Sequence, residues 1–264
     1  MPTRDTPWPA GIPCWADCQV DDPQAARAFY SQLLGWDVQD SPPEAGGYLM
    51  ALLDGKPAAG IGPKPGGQPM PSVWTTYIAT DDVDATAAKV TAAGGQLLMP
   101  PFDVMTVGRM TVFTDPAGAA AGLWQAKDHT GAGVFNQPGA YCWNELHTRN
   151  YEAARTFFAD VFGYTYTPMS PTGQDEGYVT FAIPGSTDPA GGIADDTRMG
   201  VPEDVPPHWL TWFAVEDTDT VAATVTSLGG RVIMAPSDSP IGRMAVVTGA
   251  QGETFGIIAV APAT

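Results

Sequence analysis

The sequence is poor in basic residues and in long apolar runs, and each shortage excludes a class of protein. Only 12 Lys and Arg residues stand against 29 Asp and Glu residues, which gives a formal net charge of −17. A chain this acidic repels phosphate backbones and anionic lipid headgroups, so we expect no nucleic acid and no membrane as partner. No apolar run approaches the ~20 residues of a membrane span, and the first residues lack the apolar core of a signal peptide. The sequence therefore predicts a cytoplasmic protein.

Cysteine is scarce as well. The three cysteines, Cys14, Cys18 and Cys142, are an odd number, which does not indicate a disulfide framework. Cys14 and Cys18 belong to one predicted strand, where a rise of ~3.3 Å per residue puts their Cα atoms ~13 Å apart, too far for a disulfide. We expect three reduced cysteines in the core.

Several catalytic motifs are also missing. The sequence has no Gly-x-Ser-x-Gly elbow, no Walker phosphate loop and no glycine fingerprint of a dinucleotide-binding fold. Glycines are numerous, but they stand at predicted turns. Nucleophilic catalysis and nucleotide chemistry therefore find no support among the motifs.

What the sequence does contain is an internal duplication. Residues 14–38, CWADCQVDDPQAARAFYSQLLGWDV, recur as residues 142–166, CWNELHTRNYEAARTFFADVFGYTY. Gly108-Arg109-Met110 recurs in the same way as Gly242-Arg243-Met244. A repeat of this length predicts two similar modules.

The two modules are expected to meet at a polar, glycine-rich linker. We place the first module at residues 1–126, the linker at 127–138 and the second module at 139–264. His129 lies in the linker, where we expect solvent around it.

Each module is predicted to follow a β-α-β-β-β pattern. In the first module a strand at 13–20 precedes a helix that begins at Asp22-Pro23 and ends at Gly35. Asn150 takes the capping place of Asp22 in the second module. The apolar spacing and turn residues predict the remaining elements of the first module as strands at 48–53, 73–80, 96–99, 110–113 and 120–125 and a helix at 82–93.

The repeated pattern resembles the vicinal oxygen chelate superfamily, which includes glyoxalase I, bleomycin-resistance proteins and extradiol dioxygenases. The resemblance covers both modules, and it implies an α+β fold of tandem, paired βαβββ modules, each with a sheet curled around a cavity. It is closest to two-module proteins described as glyoxalase-like or hydroxylase-like. The motifs that carry it are Asp22…Ala26…Phe29-Tyr30…Leu34-Gly35-Trp36, Asp81-Asp82-Val83-Asp84 and Gly108-Arg109-Met110…Asp115-Pro116-Ala117-Gly118.

Many members of that superfamily hold a divalent metal. The resemblance implies a His or Gln on the first strand, a His on the strand before the second helix, and a Glu on the last strand as ligands. Counted from the motifs, these positions are Trp15, Thr75 and Gly122 in one module and Trp143, Leu210 and Gly256 in the other. None of these side chains is a good metal ligand, so we expect no metal and no other cofactor.

Alternation along the strands predicts a tryptophan followed by a carboxylate in each cavity. These are Trp15 and Asp17 in the first module and Trp143 and Glu145 in the second. We expect Gly122 and Gly256 to leave room beside them for a flat ligand. The other side chains predicted to face the cavities are Tyr77, Trp124, His147, His208 and Trp212.

Two interpretations of these side chains remain open. The aromatic residues either form the walls of a ligand site or simply fill the core. Asp17 and Glu145 either act as acid–base groups or accept structural hydrogen bonds from a tryptophan, Arg109 or Arg243.

Three functional hypotheses follow. The first is a metal-independent protein that binds an aromatic or hydrophobic metabolite or antibiotic. The second is an acid–base enzyme, such as an isomerase, a lyase or the catalyst of a hydroxylation-linked step in secondary metabolism, that uses Asp17, Glu145, His147 or His208. The third is a metal enzyme with Glu145, His147 and His208 as unusual ligands. The partner is a small molecule in each case, and monomer and homodimer both remain open because the duplication already pairs the modules.

Overall fold

The computed structural model describes residues 2–66 and 70–261, and these form two large β-sheets with helices on one face of each. The predicted α+β fold of tandem βαβββ modules is confirmed. The elements of the first half are β1 (Pro13–Val20), α1 (Pro23–Leu34), β2 (Asp37–Asp40), β3 (Leu49–Leu53), β4 (Lys56–Pro63), β5 (Val73–Ala79), α2 (Val83–Ala92), β6 (Gln96–Leu97), β7 (Phe102–Val104), β8 (Gly108–Thr114) and β9 (Ala120–Ala126).

The second half repeats the order of the first. Its elements are β10 (Tyr141–Thr148), α3 (Tyr151–Phe162), β11 (Thr165–Pro168), β12 (Tyr178–Ala182), β13 (Gly191–Asp195), β14 (His208–Ala214), α4 (Thr218–Ser227), β15 (Arg231–Ser239), β16 (Gly242–Thr248) and β17 (Thr254–Val260).

Each half contains two βαβββ units that share one sheet, which corrects the prediction of a single βαβββ pattern for each module. The strand order is β2-β3-β4-β1-β5-β9-β8-β6 in the first sheet, with β7 paired to β8, and β11-β12-β13-β10-β14-β17-β16-β15 in the second. In the middle of each sheet, the first strands of its two units pair in antiparallel fashion, β1 with β5 and β10 with β14. This central pair positions the candidate site residues.

The helix ends follow the predicted signals, with one difference. The Asp22 side chain accepts hydrogen bonds from the backbone N–H groups of Gln24 and Ala25, and Gly35 ends α1 in the left-handed conformation. Asn150 occupies the corresponding position before α3, but its side chain makes no capping bond. Instead, the Thr148 hydroxyl accepts a hydrogen bond from the Asn150 N–H.

The helices cover one face of each sheet and leave the other face helix-free. On the first sheet, Trp74 of β5 donates from Nε1 to the Tyr30 hydroxyl of α1 at 3.1 Å. On the second, Trp209 of β14 packs edge-on against Phe158 of α3, with ring centroids 5.6 Å apart. Neighbouring residues of a strand point to opposite faces of the sheet. Tyr77 is three residues after Trp74 on β5, so it points away from α1 and lies on the helix-free face of the first sheet.

Candidate functional site

Two equivalent surfaces, one per sheet, carry the predicted site residues. The first site face is the helix-free face around Trp15 and Asp17 of β1, with Tyr77 beside them on β5. The second site face is its counterpart around Trp143, Glu145 and His147 of β10 and His208, Leu210 and Trp212 of β14. The strand register places Trp15 opposite Tyr77 and Trp143 opposite Trp212.

Asp17 is buried in the first site face, with 7% of its surface exposed. The Tyr77 hydroxyl donates to its Oδ2 at 2.9 Å, while its Oδ1 is buried without a hydrogen-bond partner among the described residues. Burial raises the pKa of Asp17 to about 7, against the opposing effect of the hydrogen bonds from Tyr77 and Tyr48. The carboxyl is therefore divided between its charged and neutral forms at neutral pH.

His129 also lies on the first site face, which corrects the expectation that solvent surrounds it. Its ring meets Trp15 edge-on at a centroid distance of 4.4 Å and Trp124 at 5.5 Å. Burial lowers its pKa to about 4, so the imidazole is neutral. The linker folds back over the first sheet here and fills the space above it.

The expectation that Gly122 and Gly256 leave room for a flat ligand is wrong. A Cβ atom at Gly122 would lie 2.1 Å from the Tyr77 ring, and one at Gly256 would lie 2.1 Å from the Trp212 ring. The protein's own aromatic rings occupy the space that the missing side chains leave. These glycines are needed for the packing of Tyr77 and Trp212 across the paired strands.

Glu145 is the best-bonded carboxylate on the second site face. Its Oε2 accepts from the Tyr178 hydroxyl at 2.6 Å, and its Oε1 accepts from Trp212 Nε1 at 2.8 Å and from His147 Nε2 at 3.2 Å. Burial acts to raise its pKa, but these hydrogen bonds, led by that of His147, lower it below the usual value. Glu145 is therefore ionised at neutral pH, and both of its oxygens already accept hydrogen bonds from the protein.

His147 is held between two carboxylates. Its Nδ1 lies 2.8 Å from Asp196 Oδ1, and its Nε2 contacts Glu145. Burial acts to lower its pKa, but the hydrogen bonds to Asp196 and Glu145 outweigh it and raise the pKa to about 9. At neutral pH both ring nitrogens carry protons and donate them to the carboxylates. The cluster is a fixed imidazolium between two acids.

His208 differs from His147 because one ring nitrogen is available. Its Nδ1 donates to the Pro206 carbonyl at 2.9 Å, and its ring stacks on that of His147, with centroids 5.0 Å and planes 9° apart. Burial, and then the charge of His147, lower its pKa. With the proton on Nδ1, Nε2 is an acceptor, and it has no hydrogen-bond partner among the residues that the structure describes.

An apolar surface continues the second site face beyond this polar cluster. Trp143 is half-buried and donates from Nε1 to the Tyr178 hydroxyl at 2.9 Å. Met244 and Val246 of β16 are likewise partly exposed and pack with Trp143 around the buried floor of the face. The buried floor consists of Leu210, Trp212 and Ile258.

The residues present do not fit the metal site of related folds. The positions counted from the sequence motifs hold Trp15, Thr75 and Gly122 in one half and Trp143, Leu210 and Gly256 in the other. Across residues 2–66 and 70–261, no group of three or more His, Cys, Asp or Glu side chains is arranged to hold a metal ion.

The alternative ligand set of Glu145, His147 and His208 does not fit a metal either. The two imidazole rings are parallel, so their nitrogens do not converge on one point. Both nitrogens of His147 already face carboxylates. No step is therefore assigned to a metal.

The arginines of the repeated Gly-Arg-Met motif join elements together. Arg109 Nε lies 2.8 Å from Asp84 Oδ2 at the start of α2, and Arg243 pairs with Asp219 at the start of α4. Neither arginine contacts Asp17 or Glu145. The hydrogen-bond donors to these acids are instead aromatic side chains and, for Glu145, His147.

Sequence reasoning missed three members of the two sites, namely Tyr48, Tyr178 and Asp196. Tyr48 accepts a hydrogen bond from Trp15 Nε1 at 3.0 Å, as Tyr178 does from Trp143. The two tyrosines take equivalent places before β3 and at the start of β12, so a full alignment of the two modules offers a signal for this pair. Asp196 follows β13 in a Pro- and Gly-rich segment and has no comparable signal.

The sequence matches known proteins over both halves. The sequence model of the Glyoxalase/Bleomycin resistance protein/Dioxygenase superfamily matches residues 15–122 and 141–257. The chain is 43% identical to the glyoxylase-like protein CFP32 of Mycobacterium tuberculosis, over 99% of both chains. It is 38% identical to the anthracycline biosynthesis protein DnrV of Streptomyces peucetius, over 94% of this chain and 93% of that protein.

Solved structures show the same fold at low sequence identity. The Mn(II)-bound glyoxalase from Novosphingobium aromaticivorans has a TM-score of 0.65 and 16% identity, over 95% of this chain and 82% of that chain. The 2,3-dioxygenase LapB from Pseudomonas sp. KL28 has a TM-score of 0.64 and 15% identity, over 96% of this chain and 94% of that chain.

No helix among the described residues is long and apolar enough to cross a membrane.

Proposed function

Because the chain belongs to the Glyoxalase/Bleomycin resistance protein/Dioxygenase superfamily, we propose that it binds a planar, largely apolar small molecule on the second site face without a metal. The observation that carries this proposal is the difference between the two faces. On the first site face His129 packs against Trp15, which is 4% exposed, whereas on the second site face Trp143 is partly exposed and lies next to a polar cluster.

The second site face offers a ligand two chemically distinct regions. Trp143 supplies an aromatic surface for a flat ring, and the adjoining methionine and valine side chains extend it. At the other end His208 Nε2 accepts a hydrogen bond, while His147 and Glu145 are fixed by their own partners. A planar molecule with an apolar body and a hydroxyl group at one end matches this arrangement.

The relatives support this class of ligand. Two proteins that are 38% and 36% identical to the chain are named for anthracycline biosynthesis, and anthracyclines are planar polycyclic compounds with hydroxyl groups. We therefore choose quinizarin, a dihydroxyanthraquinone, as the probe for this face.

The test is a titration of the protein with quinizarin, followed by tryptophan fluorescence quenching. We expect saturable binding that weakens about tenfold or more in Trp143→Ala, because a stacking surface is lost. The matched control is Leu98→Ala, which removes an apolar side chain that is 56% exposed in the first half. Equal binding by Trp143→Ala and Leu98→Ala would disprove the proposal.

A second candidate function, acid–base catalysis, is favoured by one observation, the neutral His208 ring with an available Nε2. The probe reaction is the ring opening of nitrobenzisoxazole, in which a base removes a proton from carbon as the N–O bond breaks. We expect His208→Gln to lose about tenfold or more of the rate, while His129→Gln keeps it. A rate that is the same in wild type, in both variants and in buffer would exclude this function.

A further inference from the structure

A continuous chain of hydrogen bonds joins the buried charges of the second site face to its partly exposed indole ring. The Tyr178 hydroxyl oxygen lies 2.9 Å from Trp143 Nε1 and 2.6 Å from Glu145 Oε2. Glu145 Oε1 contacts His147 Nε2 at 3.2 Å, and His147 Nδ1 lies 2.8 Å from Asp196 Oδ1. The aromatic surface proposed to receive the ligand is therefore linked to the polar cluster through one hydroxyl group.

The direction of each hydrogen bond around Tyr178 follows from the donors that are available. An indole nitrogen can only donate, so the tyrosine oxygen accepts from Trp143, and its single proton is left for Glu145. Burial and the charge of Glu145 raise the pKa of Tyr178 above its ordinary value of 10, so the hydroxyl keeps this proton. Trp212 also donates to Glu145, from Nε1 to Oε1 at 2.8 Å. Both oxygens of Glu145 thus face donors, which suits a carboxylate and conflicts with the O–H of a neutral carboxyl group.

Glu145 interacts with titratable groups on three strands. These are Cys142 and His147 on β10, Tyr178 on β12 and His208 on β14. Burial raises the pKa of Cys142 to about 12 and lowers the pKa of His208, so both are neutral near pH 7. The pKa of His147 is raised to about 9, and its positive charge favours the ionised form of Glu145.

The two halves differ in how much their tryptophan depends on a bond to tyrosine. Trp15 donates from Nε1 to the Tyr48 hydroxyl at 3.0 Å, but Trp15 is 4% exposed and is held by packing as well. Trp143 is only partly buried, so the bond to Tyr178 is a larger share of what restrains its ring. A neutral carboxyl or amide group at position 145 has a donor of its own. When that donor faces Tyr178, it competes with Trp143 for the tyrosine oxygen.

We propose that Tyr178 is a positioning residue that makes ligand binding at the second site face depend on the ionisation of Glu145. While Glu145 is a carboxylate, the Tyr178 hydroxyl holds Trp143 in the orientation that receives a planar ligand. A neutral group at position 145 releases the indole. Regulation thus acts through a group whose oxygens both have protein partners and which the ligand does not need to contact. This inference rests on the function proposed above for the same face.

NMR of the indole N–H groups tests the link without any ligand. The chain has eight tryptophans, and Trp143→Phe and Trp15→Phe identify two of their indole resonances. We expect Glu145→Gln to shift the Trp143 Nε1–H resonance toward that of a solvent-exposed indole, and to speed its exchange with water about tenfold. The Trp15 resonance should stay in place, because Tyr48 accepts its hydrogen bond. An unchanged Trp143 resonance in Glu145→Gln would overturn the proposal.

Tyr178→Phe shows whether the effect passes through the hydroxyl group. We expect it to shift the Trp143 resonance as Glu145→Gln does, and the double variant should show no further change, because both substitutions act on the same bond. Tyr166→Phe is the matched control, since its hydroxyl donates to the Arg155 carbonyl at 2.7 Å. Additive shifts in the double variant, or no shift in Tyr178→Phe, would rule out transmission through Tyr178.

Quinizarin titration then measures the consequence for binding. We expect Tyr178→Phe and Glu145→Gln each to weaken binding about fivefold, because the bond that orients the stacking surface is lost. Tyr166→Phe should bind as wild type does. Wild-type affinity in both Tyr178→Phe and Glu145→Gln would contradict the proposed regulation even if the Trp143 resonance moves.

This inference and the proposed function fail in different ways. If wild type does not bind quinizarin, or if Trp143→Ala binds it equally well, the proposed function is wrong, while the Trp143 resonance still reports whether Tyr178 positions the ring. If Trp143→Ala loses binding but Tyr178→Phe and Glu145→Gln keep it, the ligand site stands and the positioning role is wrong.

Discussion

The charge of His147 is the clearest consequence of local structure at the scale of single residues. Its pKa is raised to about 9 from the ordinary value of 6.5, because Asp196 and Glu145 accept hydrogen bonds from its ring. A raised pKa in the folded state means that the folded protein holds the proton more tightly than the unfolded chain. The stabilisation is complete below pH 6.5 and is lost as the pH rises toward 9.

We therefore expect His147→Gln to lower the free energy of unfolding by about 3 kcal/mol near pH 6, and by progressively less as the pH rises to 9. The measurement is urea denaturation of wild type and variant across this range. His208→Gln is the control, because the pKa of His208 is lowered and its contribution varies with pH in the opposite direction. A constant difference between wild type and His147→Gln across the range would contradict the assigned charge.

The sequence predicts the positions of Glu145 and His147 on the second site face, but it does not predict which residues they bond. Alternation along one strand is enough to put Glu145 and His147 on the same face as Trp143, because strand residues two apart share a side. Asp196 and Tyr178 reach that face from loops and strands distant in sequence, where the distances depend on sheet order. The available Nε2 of His208 depends on a bond to the Pro206 carbonyl, which no residue pattern encodes.

At the scale of elements, the strands β4 and β13 are built to accommodate a tyrosine. A Cβ atom at Gly60 would lie 1.7 Å from the Tyr48 hydroxyl oxygen, and one at Gly192 would lie 2.1 Å from that of Tyr178. These glycines let each tyrosine lie across the sheet, where Tyr178 bonds Glu145 and Tyr48 accepts a hydrogen bond from Trp15. The position of Tyr178 beside Glu145 thus depends on the bare backbone of β13.

Gly192→Ala should therefore destabilise the protein by about 1–3 kcal/mol and displace the Tyr178 hydroxyl from Glu145, because the added methyl group overlaps the ring. Gly66→Ala is the matched control, since a Cβ atom there meets nothing within 4 Å. Urea denaturation gives the stability, and quinizarin titration reports the second site face. Equal stability of the two variants would show that Tyr178 is free to move aside.

These glycines also explain why β4 escaped prediction. Its sequence, KPAAGIGP, has two glycines and two prolines, a composition that is typical of turns. The strand forms because β1 and β3 flank it and supply its hydrogen bonds. Its glycines leave the space that the Tyr48 side chain occupies. Strands such as β5 and β8, with β-branched and aromatic residues, were predicted from their own sequences.

At the scale of the whole molecule, the two halves share buried polar contacts. The Thr76 hydroxyl of the first sheet donates to Asn144 Oδ1 of the second at 2.9 Å. The Tyr30 hydroxyl of α1 donates to Glu253 Oε1, just before β17, at 2.8 Å. In addition, α1 packs against α4 and α2 packs against α3, so each half covers part of the other. We expect the halves to unfold together.

Tyr30→Phe tests this coupling. The change removes the hydroxyl that bonds both Glu253 of the second half and Trp74 of the first, and it leaves two buried polar groups unsatisfied. We expect a loss of about 3 kcal/mol and faster hydrogen exchange in the strands of both sheets. Tyr166→Phe is the control, because its hydroxyl bonds the Arg155 carbonyl within the second half alone.

The pattern of exchange separates the two possible outcomes. If the halves form one cooperative unit, Tyr30→Phe lowers the protection of β1 and β10 amides equally, since global opening exposes both. If the halves open separately, protection falls mainly in the sheet that loses the contact, and denaturation follows two transitions. Because buried bonds cross the boundary from α1 to Glu253 and from Thr76 to Asn144, we expect a single transition and an equal loss.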